Sequence, residues 1–188
     1  MRRRGLVLLL LLCISTSLLA QKVFNSQEFG FSMLEPEGWV KITDRSLDYN
    51  IRGQHGYHVI SFSKNDPNTY KGLNPMVSIS AGVNWRSFDE TSRIMMKERA
   101  LIRGEALSNF KLTRKPEIIS FQNLKAIYRL EYYTLKASRK TKFNIRRKSY
   151  IVPSGKYLFY IDFIDGQENE DQTKLFEKLI ESIKFDVN

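Results

Sequence analysis

A basic run between residues 136 and 148 is the strongest chemical signal in this sequence. It holds no acidic residue, and its cations are Lys136, Arg139, Lys140, Lys142, Arg146, Arg147 and Lys148. On a hairpin, alternate side chains from two strands would present these charges as one positive tip, suited to phosphate, lipid headgroups or an acidic protein. The alternative is a solvated hairpin whose lysines keep an edge strand from pairing with other chains. The binding interpretation makes these seven residues the candidate site.

Two histidines and an acidic stretch are the other candidate ligands. His55 and His58 lie three residues apart with no carboxylate or cysteine motif around them, which favours structural roles over metal binding. The acidic stretch lacks the spacing of an EF-hand loop, and it comprises Asp162, Asp165, Glu168, Glu170 and Asp171. We expect these acids to oppose the positive end of the following helix, and we predict no metal site and no cofactor.

The sequence lacks the common motifs of enzyme active sites. It contains no GxSxG elbow, no Walker loop, no GxGxxG after a strand, no HExxH and no framed catalytic cysteine. We therefore predict a non-enzymatic protein. The alternative is a small hydrolase that uses a pair of carboxylates, in the acidic stretch or at Asp44 and Asp48, because such a pair needs only proximity in space.

The first twenty residues have the order of a secretory signal peptide. Arg2, Arg3 and Arg4 precede an apolar run over 6–12, and the leader ends in small and polar residues at Ala20. We predict a signal peptide over 1–20, a single domain over 21–188 and an exported, periplasmic or extracellular location. The 30 basic residues less the three leader arginines leave 27 against 20 acidic residues, so the predicted mature chain carries +7. This charge favours an anionic partner or surface, and we expect no nucleic acid.

Cys13 is the single cysteine, and it bears on the location. Cleavage after Ala20 removes it with the leader, which leaves a mature domain without thiol or disulfide. The alternative is a lipoprotein acylated at Cys13, which we expect less because Leu12 stands where a small residue is usual.

Hydrophobic alternation predicts most of the strands. It indicates strands over 29–34, 57–63, 76–83, 118–121, 124–135, 143–152 and 156–164, with turns at Gln122-Asn123 and at 153–155. Residues 41–56 have little periodicity and are predicted to form a loop. Trp39 is predicted to lie at the rim of the core.

Two helices are predicted to cover this sheet. Ser87 and Glu90 form a capping box that opens a helix to about residue 107, closed by Asn109 and Phe110. The second helix, near the C-terminus, carries one apolar stripe of Leu175, Phe176, Leu179, Ile180 and Ile183. The predicted fold class is α+β, a central antiparallel sheet of about six or seven strands with two main helices packed on it.

The order of several short motifs resembles the PsbP-like and Mog-type family of α/β/α sandwich domains. The motifs are Phe29-Gly30-Phe31-Ser32, Pro36-Glu37-Gly38-Trp39, Tyr150-Ile151-Val152 with Lys156-Tyr157, and the helix end Glu181-Ser182-Ile183-Lys184-Phe185. The family includes extrinsic photosystem II proteins, a Ran-binding protein and bacterial periplasmic members. The resemblance implies a sheet covered by helices and mostly non-catalytic, protein-binding or assembly roles. It carries no site residues over to this chain.

Overall fold

The structure, a computed structural model, describes residues 22–44, 48–51, 54–64, 73–96, 108–112, 115–136, 141–168 and 171–186. The predicted signal peptide, Cys13, and Arg139 and Lys140 of the basic run lie outside these residues. So do Glu170 of the acidic stretch, the side chain of His55 and the predicted end of the first helix near residue 107.

The described residues form twelve strands and two helices. The strands are β1 (Val23–Ser26), β2 (Phe31–Leu34), β3 (Val40–Ile42), β4 (Tyr49–Ile51), β5 (Gln54–Ser63), β6 (Met76–Val83), β7 (Ser108–Leu112), β8 (Glu117–Phe121), β9 (Leu124–Lys136), β10 (Lys142–Ser154), β11 (Tyr157–Gly166) and β12 (Lys184–Phe185). Residues 88–96 form helix α1, and Thr173–Ser182 form helix α2.

Two antiparallel sheets organise these strands. The large sheet has nine strands and runs β3-β5-β6-β11-β10-β9-β7, with β4 also paired to β5 and β8 also paired to β9. The small sheet has the order β1-β2-β12. The predicted α+β class, an antiparallel sheet with two helices, is confirmed, and the large sheet exceeds the predicted six or seven strands.

One face of the large sheet, the first face, carries the main core beneath the small sheet and α2. Phe31 in the small sheet stacks on Phe159 with ring centroids 5.7 Å apart. Phe176 of α2 meets Phe163 at 4.3 Å. Alternating residues of each strand point to opposite faces, so these odd-numbered β11 residues all belong to this layer.

The opposite face of the large sheet, the second face, receives α1. Met95 is buried with Ile127, Ile151 and Leu158, and Phe88 packs against the same cluster. The Ser87 hydroxyl accepts a hydrogen bond from the Glu90 backbone N–H at 3.2 Å, which confirms the predicted start of this helix. The helices thus lie on opposite faces, the arrangement of an α/β/α sandwich.

Three local predictions are wrong. Residues 41–56 contain strands rather than a loop: β3 pairs with the end of β5 and β4 with its start, and both strands are too short to show a period. Asn109 does not end a helix; it lies in β7 at a φ of 55° and donates to the Thr134 hydroxyl. The turn predicted at 153–155 consists of Gly155 and Lys156, while Pro153 pairs with Leu158.

The backbone conformation explains why the turn between β10 and β11 consists of Gly155 and Lys156. Gly155 has a φ of +53°, and glycine at the first position of a two-residue turn suits a type II′ hairpin. Pairing of β10 with β9 ends at Ile151, so the missing N–H of Pro153 interrupts no bond to β9. The turn predicted at Gln122-Asn123 is confirmed, with φ values of 47° and 69° that suit type I′.

Candidate functional site

The hairpin of β9 and β10 carries the described part of the predicted basic site. Lys136 and Lys142 lie directly opposite each other at its end, and both side chains are exposed. Like charges in this cross-strand position repel each other. The structure therefore brings two of the seven predicted residues together as an exposed cationic pair.

In the described residues, the pairing of this hairpin with its neighbouring strands ends near Thr134 and Asn144. Pairing between β7 and β9 ends at Ser108 opposite Thr134. Pairing between β10 and β11 ends at Ile145 opposite Gly166, with one further bond from the Gln167 N–H to the Asn144 carbonyl. The hairpin end, which we define as Leu135, Lys136, Lys142 and Phe143, is therefore paired only within itself in the described residues.

Arg146 and Lys148 point to the first face, where polar groups next to α2 bind them. Arg146 donates to Asp165 through Nε at 2.9 Å and through a terminal nitrogen at 2.5 Å. A second carboxylate, Asp171, lies 3.4 Å from the same guanidinium. The hydrogen bond with Asp165 raises the pKa of Arg146 above its usual value. Lys148 donates to the Thr173 hydroxyl, and burial lowers the pKa of its ammonium.

Arg147 points to the second face and forms a bidentate pair with Asp162. The two contacts measure 2.9 and 2.5 Å, and the Ser149 hydroxyl donates to the same carboxylate at 2.5 Å. Burial works against the charge of Arg147, but attraction to Asp162 and then to Glu131 outweighs it and raises the pKa. Beside this pair Arg129 lies 2.5 Å from Glu131, and both are almost completely buried. Together these five residues form a buried charged layer.

The single positive tip predicted for the basic run is therefore wrong in its geometry. Arg146, Arg147 and Lys148 alternate between two faces and are held by groups within the chain, so they do not join the exposed lysines. These ion pairs depend on the register between β10 and β11, which places Asp165 opposite Arg146 and Asp162 opposite Ser149 and which hydrophobic alternation does not predict. Asp162 and Asp165 both lie in β11, beside β10. The binding role of the basic residues stays a prediction.

Of the acidic stretch, Asp171 contacts the start of α2, whereas Asp162 and Asp165 bind arginines within the sheet and do not oppose the helix as predicted. The Asp171 carboxylate accepts the Thr173 backbone N–H at 2.9 Å where α2 begins. The bonds with Thr173 lower the pKa of Asp171. Among the described residues no group of three or more histidine, cysteine or acidic side chains could hold a metal ion.

His58 belongs to a buried polar network rather than to an open site. Its Nε2 lies 2.8 Å from the Ser61 hydroxyl, which donates to Ser78 at 2.9 Å. Its Nδ1 lies 3.1 Å from the Asp44 carbonyl oxygen, and its backbone N–H donates to the Asp48 carboxylate at 2.6 Å. Of the predicted alternative acids, Asp48 thus contacts this buried histidine through its carboxylate and Asp44 through its backbone carbonyl.

The opposite end of the large sheet has exposed apolar and aromatic residues that the sequence did not single out. Trp85 is 61% exposed and Val83 is 54% exposed. Arg86 stacks on the Trp85 ring at 3.8 Å. The Asn84 N–H donates to the Lys156 carbonyl at 2.8 Å, which ties this segment to the β10–β11 turn.

An open cleft of about 450 Å³ lies beside that turn. It is lined by Gln27, Glu28, Phe29, Gly30, Ser154, Gly155, Lys156, Tyr157 and Asp186. The lining includes the acids Glu28 and Asp186, the base Lys156 and the aromatic residues Phe29 and Tyr157, so it favours no single ligand charge. None of the helices in the described parts of the chain has the length and apolar character needed to cross a membrane.

Comparison with solved structures places this fold among known ones. The chain is similar to cyanobacterial PsbP (CyanoP) from Synechocystis sp. PCC 6803, with a TM-score of 0.54 and 13% identity over 92% of this chain and 96% of that one. It is similar to a Bacteroides thetaiotaomicron VPI-5482 protein, with a TM-score of 0.50 and 16% identity over 88% of this chain. It spans only 48% of that protein's length.

A third solved structure is LpqN of Mycobacterium tuberculosis, described as involved in cell envelope biogenesis. Its TM-score is 0.48, with 11% identity over 88% of this chain and 84% of that one. A scan against protein-family models matches none of them, and a sequence search among curated proteins also matches none. The chain therefore has a PsbP-like α+β fold, as its motifs suggested. The Mog-type part of the resemblance is not confirmed.

Proposed function

We propose that this chain is an exported, non-enzymatic binding or assembly domain of PsbP-like fold that holds an anionic envelope partner. The observation that carries the proposal is the hairpin end, where Lys136 and Lys142 stand opposite each other and exposed. The two lysine ammonium ions repel each other, and a negative group between or above them relieves that repulsion.

The other cations of β10 that the structure describes support a site limited to Lys136 and Lys142. Arg146 and Arg147 are already paired with carboxylates of the same chain. Reversing their charge would break internal ion pairs, so loss of binding in such variants would report damage to the fold. The exposed lysine pair can be changed without breaking an internal ion pair that the structure records.

The contacts of the acidic side chains support the non-enzymatic part of the proposal. The carboxylates of Asp162 and Asp165 accept hydrogen bonds from arginines, and that of Asp48 accepts one from the backbone of His58. Each acid thus has a structural role that accounts for its position. Export and the alternative anchoring through Cys13 rest on the leader sequence alone.

The test is a pull-down of the mature domain from envelope extract at low and high salt, with bound species identified by mass spectrometry. We expect a discrete anionic species at low salt that is lost at high salt, because salt screens exposed charges. The double variant Lys136→Glu/Lys142→Glu should lose it. The matched control Lys125→Glu/Lys178→Glu changes two exposed lysines elsewhere and should retain it. Equal retention by both double variants would overturn the proposal.

A further inference from the structure

The exposed tryptophan that follows β6 is held in a fixed position. Trp85 is 61% exposed, and the Arg86 guanidinium stacks on its ring at 3.8 Å. Before it the Asn84 N–H donates to the Lys156 carbonyl, and after it the Ser87 hydroxyl caps α1. Because this stretch is tied at both ends, a partner that binds it has little conformational entropy to remove. We call it the Trp85 segment and define it as Val83, Asn84, Trp85 and Arg86.

The open cleft borders the Trp85 segment. Val83 pairs with Tyr157, and Asn84 binds the carbonyl of Lys156. The described lining of the cleft includes Lys156 and Tyr157 but none of the Trp85 segment. The exposed indole and the cleft are therefore neighbours on the surface, and within one chain Trp85 does not line the cleft.

The chemistry of the cleft matches that of the Trp85 segment. Its aromatic rings are those of Phe29 and Tyr157, with centroids 5.1 Å apart. Its carboxylates are those of Glu28 and Asp186. An indole packs against aromatic rings, and a guanidinium binds carboxylates. Pockets for small ligands measure about 300–1,000 Å³, so a cleft of about 450 Å³ has room for an indole and its stacked guanidinium.

Arg86 has the capacity to bind a further carboxylate while it stays stacked on Trp85. Its ion pair with Glu90 runs through Nε at 3.5 Å, and 30% of the Arg86 side chain is exposed. A guanidinium has five N–H donors, so this single contact does not exhaust it. Trp85 and Arg86 together thus present an aromatic ring and a cation, the two groups that the cleft accepts.

A second copy of this chain offers both of the matching surfaces at once. Lys156 borders the Trp85 segment and the cleft, so a two-fold axis near Lys156 lets the segment of each copy enter the cleft of the other. Such an interface is isologous, and each of its contacts is made twice. A polyanion would instead be repelled by the acids Glu28 and Asp186. An uncharged glycan would cover Arg86 and these acids without neutralising them.

We propose that two copies of this chain pair through this surface, with Trp85 and Arg86 of each copy in the open cleft of the other. The indole lies against the aromatic rings of the cleft, and the guanidinium binds Glu28 or Asp186. This inference goes beyond the proposed function and does not depend on the hairpin end, which lies at the opposite end of the large sheet.

The experiment is sedimentation equilibrium of the mature domain at concentrations up to about 1 mM, which detects dissociation constants of that order. We expect a reversible equilibrium between monomer and dimer. Trp85→Ala should weaken pairing at least about a hundred-fold, because each dimer loses two copies of an anchor residue. The matched control Ile118→Ala changes a side chain that is 52% exposed elsewhere and should pair like the unchanged protein.

An exchange of charges tests the contact between Arg86 and the cleft. Arg86→Glu and Glu28→Arg should each weaken pairing by at least about ten-fold. The double variant should recover a large part of this loss, because the reversed charges meet again across the interface. Arg93→Glu changes an exposed arginine on α1 and serves as the control. Thermal unfolding of every variant checks that it folds.

The position of the axis has its own test. Two copies of Lys156 near the axis repel each other, so Lys156→Gln should strengthen the pairing. Weaker pairing in this variant would contradict the axis. Species that keep growing beyond the dimer would also contradict it, because a head-to-tail contact that does not close forms open filaments.

Two results would overturn the pairing itself. One is a monomer at every concentration, and the other is a dimer that Trp85→Ala leaves unchanged. A monomer that still retains the anionic species in the pull-down would leave the proposed function standing. A dimer whose retention does not depend on Lys136 and Lys142 would sustain the pairing and refute the proposed function.

Discussion

At the scale of single residues, the facing pair of Lys136 and Lys142 is a local cost to the fold. Replacing one lysine by glutamate turns the repulsive cross-strand contact into an attractive one. We expect Lys142→Glu to raise the free energy of unfolding by about 0.2–1 kcal/mol at low salt, measured by urea denaturation. The gain should shrink at high salt, and a loss of stability at low salt would contradict the repulsion.

Asp162 is a second residue whose removal has a defined cost. Its carboxylate binds both Arg147 and Ser149, and its loss leaves the mostly buried guanidinium of Arg147 without that partner. We expect Asp162→Ala to lower the free energy of unfolding by about 3–5 kcal/mol in chemical denaturation. Glu181→Ala, which removes an exposed carboxylate, serves as the control and should change little. A loss below about 1 kcal/mol for Asp162→Ala would show that Arg147 finds water or another acid.

The phenol of Tyr150 should make the stability of the fold depend on pH in the alkaline range. Burial raises the pKa of its phenol from 10.0 to about 12. Between these values the unfolded chain releases the proton while the native chain keeps it, so this contribution to stability is complete below pH 10 and is lost as the pH rises toward 12. In Tyr150→Phe we expect a flatter decline of stability over this range, measured by denaturation at a series of pH values. A decline as steep in Tyr150→Phe as in the unchanged protein would contradict a raised pKa of this phenol.

At the scale of elements, α2 is held by a few side chains. Leu179 is 1% exposed and lies in the main core together with Phe176. We expect Leu179→Ala to cost about 2–5 kcal/mol, because it opens a cavity in a packed layer. Lys178→Ala, one position earlier on the exposed side, should change stability by no more than about 0.5 kcal/mol. Thermal and urea denaturation of both variants would measure the difference.

The elements also show what the sequence could predict. Strong alternation located β6 at the bounds seen in the structure, and the apolar stripe located α2. The short strands β3 and β4 were not predicted, because three residues show no period and because pairing with β5, which the sequence does not reveal, stabilises them. The candidate site was predicted only in part. The basic run was visible in the sequence, but the pairing of Arg146 and Arg147 with Asp165 and Asp162 depends on the register of β10 against β11, which the alternation of residues does not determine.

At the scale of the whole molecule, the basic hairpin end and Trp85 lie at opposite ends of the large sheet. Pairing of β11 with both β10 and β6 places Gly166 near the first end and Val83 near the other. If the hairpin end binds the proposed anionic partner, Trp85 lies away from that contact.

We therefore expect a Trp39→Phe variant, whose remaining tryptophan is Trp85, to keep its emission maximum and its quenching by acrylamide when the anionic partner binds. As a positive control, Leu135→Trp combined with Trp39→Phe and Trp85→Phe should shift to shorter wavelengths on binding. A blue shift of Trp85 itself would contradict this orientation.

The length of β10 sets the distance between these two ends of the sheet. Its 13 residues run from Lys142 to Ser154, which at about 3.3 Å per residue is a rod of roughly 40 Å. The ion pairs and the core on both faces keep that rod attached to its neighbours. A partner bound at the hairpin end would therefore lie roughly 40 Å from Trp85 and the open cleft. The strand acts as a spacer, and its residue count sets the distance between two molecules bound at the two ends of the sheet.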